Sequence, residues 1–326
     1  VHCLSPAAIP PPAPEAVDRF RRDFEPLAGP ASRIGVAVSG GPDSLALLLL
    51  ASAGYGNRVF AATVDHGLRP EAAAEARYMA GIAAVLGVPH AILTVDWPGG
   101  KPETGLQEAA RDARYDALFR WCEEQALDAL LTAHHADDQA ETLLMRLGRG
   151  AGLPGLAGIR PVQALPNLRI VRPLLGWRRD ELLRICVDAG IDPILDPSNS
   201  DPRHERTRIR RLLAGGDALD PRKVALSADH LFDVEEAMAW IAAEAIRGRA
   251  RIEPDQATFD ADGLPREIKR RALAFILAHF GADPRGSAVD RVLTQLEGGL
   301  PATLAGLRLR PGERWSIVRA PPRRGK

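Results

Sequence analysis

The chain has 326 residues, 46% hydrophobic and 26% charged, with 42 basic and 42 acidic side chains. Such a composition suits a soluble globular protein of two domains and excludes disordered, collagenous or membrane-spanning chains. Cys3, Cys122 and Cys186 form no C-x-x-C pair and no even set, which argues against a disulfide framework or a cysteine-rich metal site and suits a cytoplasmic protein.

A proline-rich opening leads into a short helix over 16–27 with Phe20, Phe24 and Leu27 on one face. No basic stretch precedes an apolar core, so residues 1–30 read as a flexible arm with a short helix rather than a signal peptide. The chain then alternates. Apolar strands at 34–38, 59–64, 91–95 and 129–132 are each followed by a helix, at 45–52, 71–86, 106–125 and 136–147. This alternation predicts an α/β fold, a parallel twisted sheet with helices on both faces. Ligands of such sheets bind beyond the carboxyl ends of the strands. A connector at 148–158, a strand at 168–171, a helix at 179–189 and an arginine-dense segment at 203–211 complete a catalytic domain over 31–215. After Gly215-Gly216 the pattern changes to helices at 222–248, 266–280 and 286–297, with a closing hairpin over 303–318. A smaller, mainly helical domain over 216–326 is expected. Acidic residues outnumber basic ones up to Asp201 and basic ones dominate after it, the distribution of a catalytic half beside a half that meets a polyanion.

The first strand breaks into Ser39-Gly40-Gly41-Pro42-Asp43-Ser44. Two glycines let the backbone turn and present successive N–H groups to an anion, Ser44 is placed to cap the following helix, and the helix dipole adds positive potential. No G-x-x-x-x-G-K-[ST] is present, so no lysine reaches the phosphates. Asp43 would repel phosphate without a cation between them, which makes it a candidate Mg²⁺ ligand. A plain Gly-rich turn is the alternative. The fourth strand is followed by His134-His135-Ala136-Asp137-Asp138-Gln139-Ala140-Glu141-Thr142. A helix starting near His134 would put His134, Asp138 and Thr142 on one face and turn His135 and Asp137 elsewhere. Glu108, Arg111 and Asp112 have the spacing of a solvated ion-pair face. Asp196-Pro197-Ser198-Asn199 with Arg206 to Arg210 fits a phosphate-binding edge or merely a soluble surface.

Together these motifs resemble the N-type ATP pyrophosphatases, whose signature is SGGxDS, and within them the tRNA(Ile)-lysidine synthases. The likeness rests also on Val64-Asp-His-Gly-Leu-Arg69, the H-H-A-D-D-Q-A-E-T run, Glu108-Ala-Ala-Arg111 with Arg114-Tyr115, and D-P-S-N followed by Arg206-Thr207-Arg208-Ile209-Arg210. It departs at Thr207, where the family commonly has Asn, and at Ala72, where Ser is common. It also ends without room for the further C-terminal domains of longer members. The resemblance implies an ATP-dependent ligase that joins L-lysine to the wobble cytidine of the isoleucine tRNA with a CAU anticodon. Pyrophosphate and then AMP would be released. It implies ATP held by Ser39, Gly40, Gly41, Pro42, Asp43 and Ser44, with adenosine near Val64, Asp65 and His66. Asp43 and Asp138 would hold Mg²⁺, while His134, Arg111 and Arg208 would steady the reacting phosphate. Asp65, Asp137 or Glu141 would meet lysine's amine, and Arg203, Arg206, Arg208, Arg210 and Arg211 the tRNA, with no membrane partner. A tRNA thiolase of the same superfamily is the nearest rival, disfavoured by the isolated cysteines. A non-catalytic tRNA- or nucleotide-binding protein is the other.

Overall fold

The structure, a computed structural model, describes residues 9–29, 31–68, 70–97, 100, 105–194, 205–214, 219–284 and 286–320. The Gly215-Gly216 boundary, the Asp196–Asn199 turn, Arg69, Arg203 and the first eight residues of the arm lie outside them. Packing divides the chain into two compact units, Val1–Phe232 and Asp233–Lys326.

In the larger unit, helix α1 (Pro14–Ala28) starts on a proline, which suits the first helical turn, and buries Val17, Phe20, Phe24 and Ala28. The Phe20 and Phe24 rings stack 5.9 Å apart, and Tyr55 meets both edge-on. The helix predicted within the arm is therefore part of the core. Strand β1 (Ile34–Ala37) runs into α2 (Pro42–Tyr55), whose residues Ser44 to Ala51 are all buried. A helix apolar all round sits inside a protein, not on its surface.

The chain continues through β2 (Val59–Asp65), α3 (Ala72–Val85), β3 (His90–Thr94), α4 (Leu106–Glu124), β4 (Ala129–Leu131) and α5 (Ala136–Gly148). Next come α6 (Leu153–Leu156), β5 (Val162–Ala164), β6 (Arg169–Val171), α7 (Arg179–Asp188) and α8 (Glu205–Ala214). The sheet order is β3-β2-β1-β4-β6-β5. All pairings are parallel except β5 with β6. The chain moves outward from β1 to β3 on one side, then crosses to β4 and β6 on the other. Strand order thus reverses between β1 and β4, the crevice where parallel sheets bind ligands. The loop after β1 and the His-Asp run after β4 meet at this crevice. The brief strand β5, an antiparallel edge, has three half-buried or exposed residues, too weak a pattern to read in sequence.

The second unit contains the end of α9 (Pro221–Arg249), β7 (Ala250–Ile252), β8 (Gln256–Phe259), α10 (Arg266–His279), α11 (Gly286–Glu297), β9 (Ala302–Leu304), β10 (Leu307–Arg310) and β11 (Trp315–Arg319). The predicted hairpin is the β10–β11 pair inside a five-stranded antiparallel sheet ordered β7-β8-β11-β10-β9. Helix and sheet share this unit. Its core joins Phe259, Leu309 and Ile317 to Leu273, Ile276 and Leu293. Strands of three to five residues offer too few alternating positions to stand out in sequence. Among the described residues no helix is long and apolar enough to cross a membrane.

Candidate active site

The loop after β1 is shaped by its glycines and by a proline. Gly41 precedes α2 in an extended conformation, with Pro42 in the first helical turn. Ser44 therefore does not cap the helix as expected. It lies inside the first turn, where its hydroxyl donates to the Gly41 carbonyl (3.0 Å) and accepts from the Ser39 N–H (3.1 Å). The reason is proline's fixed φ, which favours the first helical position and pulls the start forward. The first-turn N–H groups of Asp43 and Ser44 have no carbonyl four residues back within the helix, so they face the loop as anion donors. Gly40 has φ +84°, and a β-carbon there would collide with Ile194 Cδ1. The Ile194 N–H donates to the Gly40 carbonyl at 2.9 Å, tying the segment after α7 to the loop. A Gly40→Ala variant is expected to lose about 1–3 kcal/mol of stability and to release pyrophosphate more slowly. Thermal melting and a pyrophosphate assay check this, and a wild-type result in both would show the loop is not so constrained.

Helix α5 begins at Ala136, where the sequence pattern placed the helix and not near His134, with His135 as its cap residue. His135 and Asp137, expected to point elsewhere, turn toward the centre. His135 is buried, with Nε2 3.5 Å from both Asp43 Oδ2 and Asp138 Oδ2, and Nδ1 3.5 Å from Asp137 Oδ2. Burial alone would lower its pKa, but pairing with Asp137, Asp43 and Asp138 overcomes this and pushes it up to about 10. These carboxylates favour its cationic form, which draws the carboxylates of the two motifs together. Asp138 also accepts from the His135 N–H (3.2 Å), holding the helix start. Asp43 Oδ1 is buried and has no hydrogen-bond partner.

Asp137 joins α5 to α7. It accepts from Arg178 Nε (3.1 and 3.2 Å) and from the Arg179 N–H (2.9 Å). Burial works against its charge, yet His135 and Arg178 hold its carboxyl well below the usual range. Glu141 is 1% exposed and faces Arg206 Nε (3.0 Å) and Arg210 Nε (2.8 Å). Two of the acids considered for lysine are thus already matched by arginines, and so are two of the arginines considered for tRNA. Arg208 and Arg211 are exposed on α8. Thr207, where the resemblance departs, is buried. Asp65 ends β2 and accepts from the Gly67 N–H (2.9 Å), Val64 just before it is half-buried, and His66 Nδ1 accepts from the Leu68 N–H (3.2 Å).

His134 is held by Thr132 and still feels the charge of Asp138. Its Nδ1 lies 3.1 Å from Thr132 Oγ1, and it lines a cavity of about 410 Å³ with Arg111, Arg146, Arg160, Arg172 and Arg206. Burial first, then Arg172, Arg111 and Arg206, push its pKa down to about 4 against Asp138. It is neutral at physiological pH and able to share a proton with a phosphate oxygen. Arg111 does not pair with Glu108 or Asp112. Its guanidinium lies 5.4 Å from the Tyr115 ring centre. A neighbouring groove of about 650 Å³ shares Thr142, Arg146 and Arg206 with this cavity. His135, Arg146, Arg160 and Arg172 were not expected at the site. Arg172 had a usable signal, because it is the first residue past β6 on the ligand-binding edge of the sheet.

The family model described as a PP-loop domain matches residues 14–215. The tRNA(Ile)-lysidine synthase of Novosphingobium aromaticivorans is 46% identical over 95% of this chain and 95% of its own. That of Zymomonas mobilis is 44% identical over 92% of this chain and 91% of its own. The solved U34-tRNA thiolase NcsA of Methanococcus maripaludis is 17% identical with a TM-score of 0.57, covering 67% of this chain and 79% of that one, a likeness of fold. With the Gly-Gly loop and the His-His-Asp-Asp run meeting at one crevice, these matches establish that the chain belongs to the tRNA(Ile)-lysidine synthase family of PP-loop proteins.

Proposed function

We propose that this chain uses ATP to join L-lysine to the wobble cytidine of an isoleucine tRNA with a CAU anticodon. The observation that carries the reading is Asp43. One of its oxygens is buried without a partner in a lysine-free phosphate loop, and the other meets Asp138 through His135. Two carboxylates completed by phosphate oxygens are the donor set Mg²⁺ commonly uses. Among the described residues no group of three or more His, Cys, Asp or Glu forms a fuller metal cage. Asp43 and Asp138 would hold Mg²⁺, which supplies positive charge against the leaving pyrophosphate.

In the first step the ring carbonyl oxygen of the cytidine attacks the α-phosphorus of ATP, and the bond to pyrophosphate breaks. N–H groups of Gly40, Gly41, Asp43 and Ser44 hold the pyrophosphate part, the Ser39 N–H being used on Ser44 Oγ, and adenosine lies by Val64, Asp65 and His66. A γ-phosphate transfer site commonly brings a lysine onto the terminal phosphates, whereas this loop leaves that end to backbone donors and suits cleavage at the α-phosphorus. Neutral His134 donates or accepts at the α-phosphate, and Arg111 and Arg208 offset its growing charge. In the second step lysine's ε-amine attacks the activated ring carbon, AMP leaves with the carbonyl oxygen, and the amine gives up its proton. Asp137 is held by Arg178 and the Arg179 N–H, and Glu141 by Arg206 and Arg210, so Asp65 is the better acid for lysine. Arg206, Arg208, Arg210 and Arg211 on α8, with Arg203, are assigned to the tRNA backbone, which predicts affinity falling steeply with salt.

The test is a reaction with ATP, Mg²⁺, labelled lysine and tRNA bearing a CAU anticodon. Label bound to the base, with AMP and pyrophosphate released, is the expected result. ADP as product would overturn the reading, as would labelled sulfur entering the base in place of lysine. The thiolase rival has little support in the described cysteines. Cys122 and Cys186 are buried in separate core clusters, and burial pushes both thiols up to about 12.

A further inference from the structure

Among the described residues Arg172 bonds to neither the phosphate loop nor the carboxylates of α5. It is 7% exposed, directly after β6. Its Nη1 donates to the Arg160 carbonyl (2.8 Å) and its Nη2 reaches Gln163 Oε1 (3.4 Å), both neutral acceptors. Its Nε is buried with no partner. Among the described residues no carboxylate forms an ion pair with it. A buried cation without a counterion is costly to fold around, and a guanidinium does not escape by losing its proton. The cost makes sense where an anion completes the site.

The surroundings have the same character. Arg111, Arg146, Arg160 and Arg206 line the same cavity, and among the described residues no Asp or Glu lines it, although Arg206 pairs with Glu141 at its edge. Arg146 is fixed by the carbonyls of Gly155 (2.7 Å) and Gly158 (3.0 Å), so its charge is positioned before any ligand arrives. The cavity holds none of the loop residues Ser39 to Ser44, but His134 and Arg111, assigned to the α-phosphate, line one part of it, so it adjoins the nucleotide site and extends beyond it. Through Arg146 and Arg206 it continues into the larger groove, lined also by Arg114, Arg149, Arg210 and Glu205, where five arginines outnumber Glu205, paired with Arg149, and Glu141, paired with Arg206 and Arg210. A cationic surface extended in this way suits a chain of phosphates better than one isolated group.

We propose that Arg172 is the floor of a second anion site, beside the α-phosphate position and lined by Arg146, Arg160 and Arg206, that takes a phosphate ester. Continuity with the groove favours a backbone diester of the RNA beside the modified base, and ATP is the other source of the same chemistry. The inference deepens the proposed function and rests on it for the identity of the substrates.

The test uses the full chain as wild type, Arg172→Gln and Arg172→Lys. An anticodon stem-loop RNA is titrated at several salt concentrations, and a non-hydrolysable ATP analogue is titrated separately with Mg²⁺. Arg172→Gln is expected to bind the RNA about tenfold more weakly, with the slope of log affinity against log salt reduced by about one. Arg172→Lys should recover part of the affinity, since it restores charge without the planar fork. Loss of analogue binding with RNA binding unchanged would keep the anion site and assign it to the nucleotide. Unchanged affinity and slope for both ligands would overturn it. If Arg172→Gln does not fold, the exposed Arg160→Gln provides the same readout without disturbing a buried side chain. A wild-type protein that binds the stem-loop but attaches no lysine would overturn the proposed activity alone. A wild type that attaches lysine, beside an Arg172→Gln variant with unaltered binding, would overturn the anion site alone.

Discussion

Asp43→Ala is expected to lower pyrophosphate release by at least about a hundredfold, about 3 kcal/mol of transition-state stabilisation, with tRNA affinity unchanged. Asp43 supplies a buried, unpartnered oxygen beside the phosphate loop, and its second oxygen is held 3.5 Å from His135. Alanine removes a charge that has no substitute in the loop, because no lysine or second acid lies between Ser39 and Ser44. The RNA is assigned to arginines elsewhere, so its binding should not register the change. Pyrophosphate release and RNA titration on the same preparation separate the two effects. A parallel loss of RNA binding would mean that Asp43 supports the fold of the RNA site rather than facing a metal.

Asp137→Ala is expected to act mainly on the fold. Asp137 closes a chain from His135 through its own carboxylate to Arg178 and the start of α7. Removing one partner of a buried pair costs about 3–5 kcal/mol. The side chains of Asp137 and Arg178 keep 18% and 24% of their exposure, so roughly 2–4 kcal/mol is the better expectation. For a unit of this size that lowers the melting temperature by roughly 5–15 °C. If Asp137 instead bound lysine, the variant would melt like wild type and show a raised KM for lysine. The pH dependence should agree. Its folded pKa is depressed, so its stabilisation is present above the ordinary carboxylate range and is lost as pH falls below it. The variant should lack that part of the acid transition.

The parallel sheet was legible because its strands are continuous apolar runs between helices of clear length, and structure and sequence agree closely from 34 to 131. The phosphate loop was legible for a related reason. A turn that needs positive φ at Gly40 and a proline-started helix leaves its mark in consecutive residues. The C-terminal sheet was not, since strands such as β7 and β9 have three residues each and owe their stability to neighbours distant in sequence.

At the site, local chemistry named most participants but not their pairings. With α5 starting at Ala136, His135 is the cap residue just outside the helix, and its position there decided that His135, not His134, joins Asp43 and Asp138. Glu141 looked like a free acid, and only the packing of α8 on α5 matched it with Arg206 and Arg210. Arg172 gave no sign of its burial in sequence, and only the assembled cavity made it a buried cation that no carboxylate among the described residues pairs with. By itself the sequence determined the fold class, the phosphate loop and the family resemblance, all of which depend on neighbouring residues. The tertiary structure alone decided which charges are compensated and which remain open to a ligand, because electrostatic energy depends on distance and burial between residues far apart in the chain.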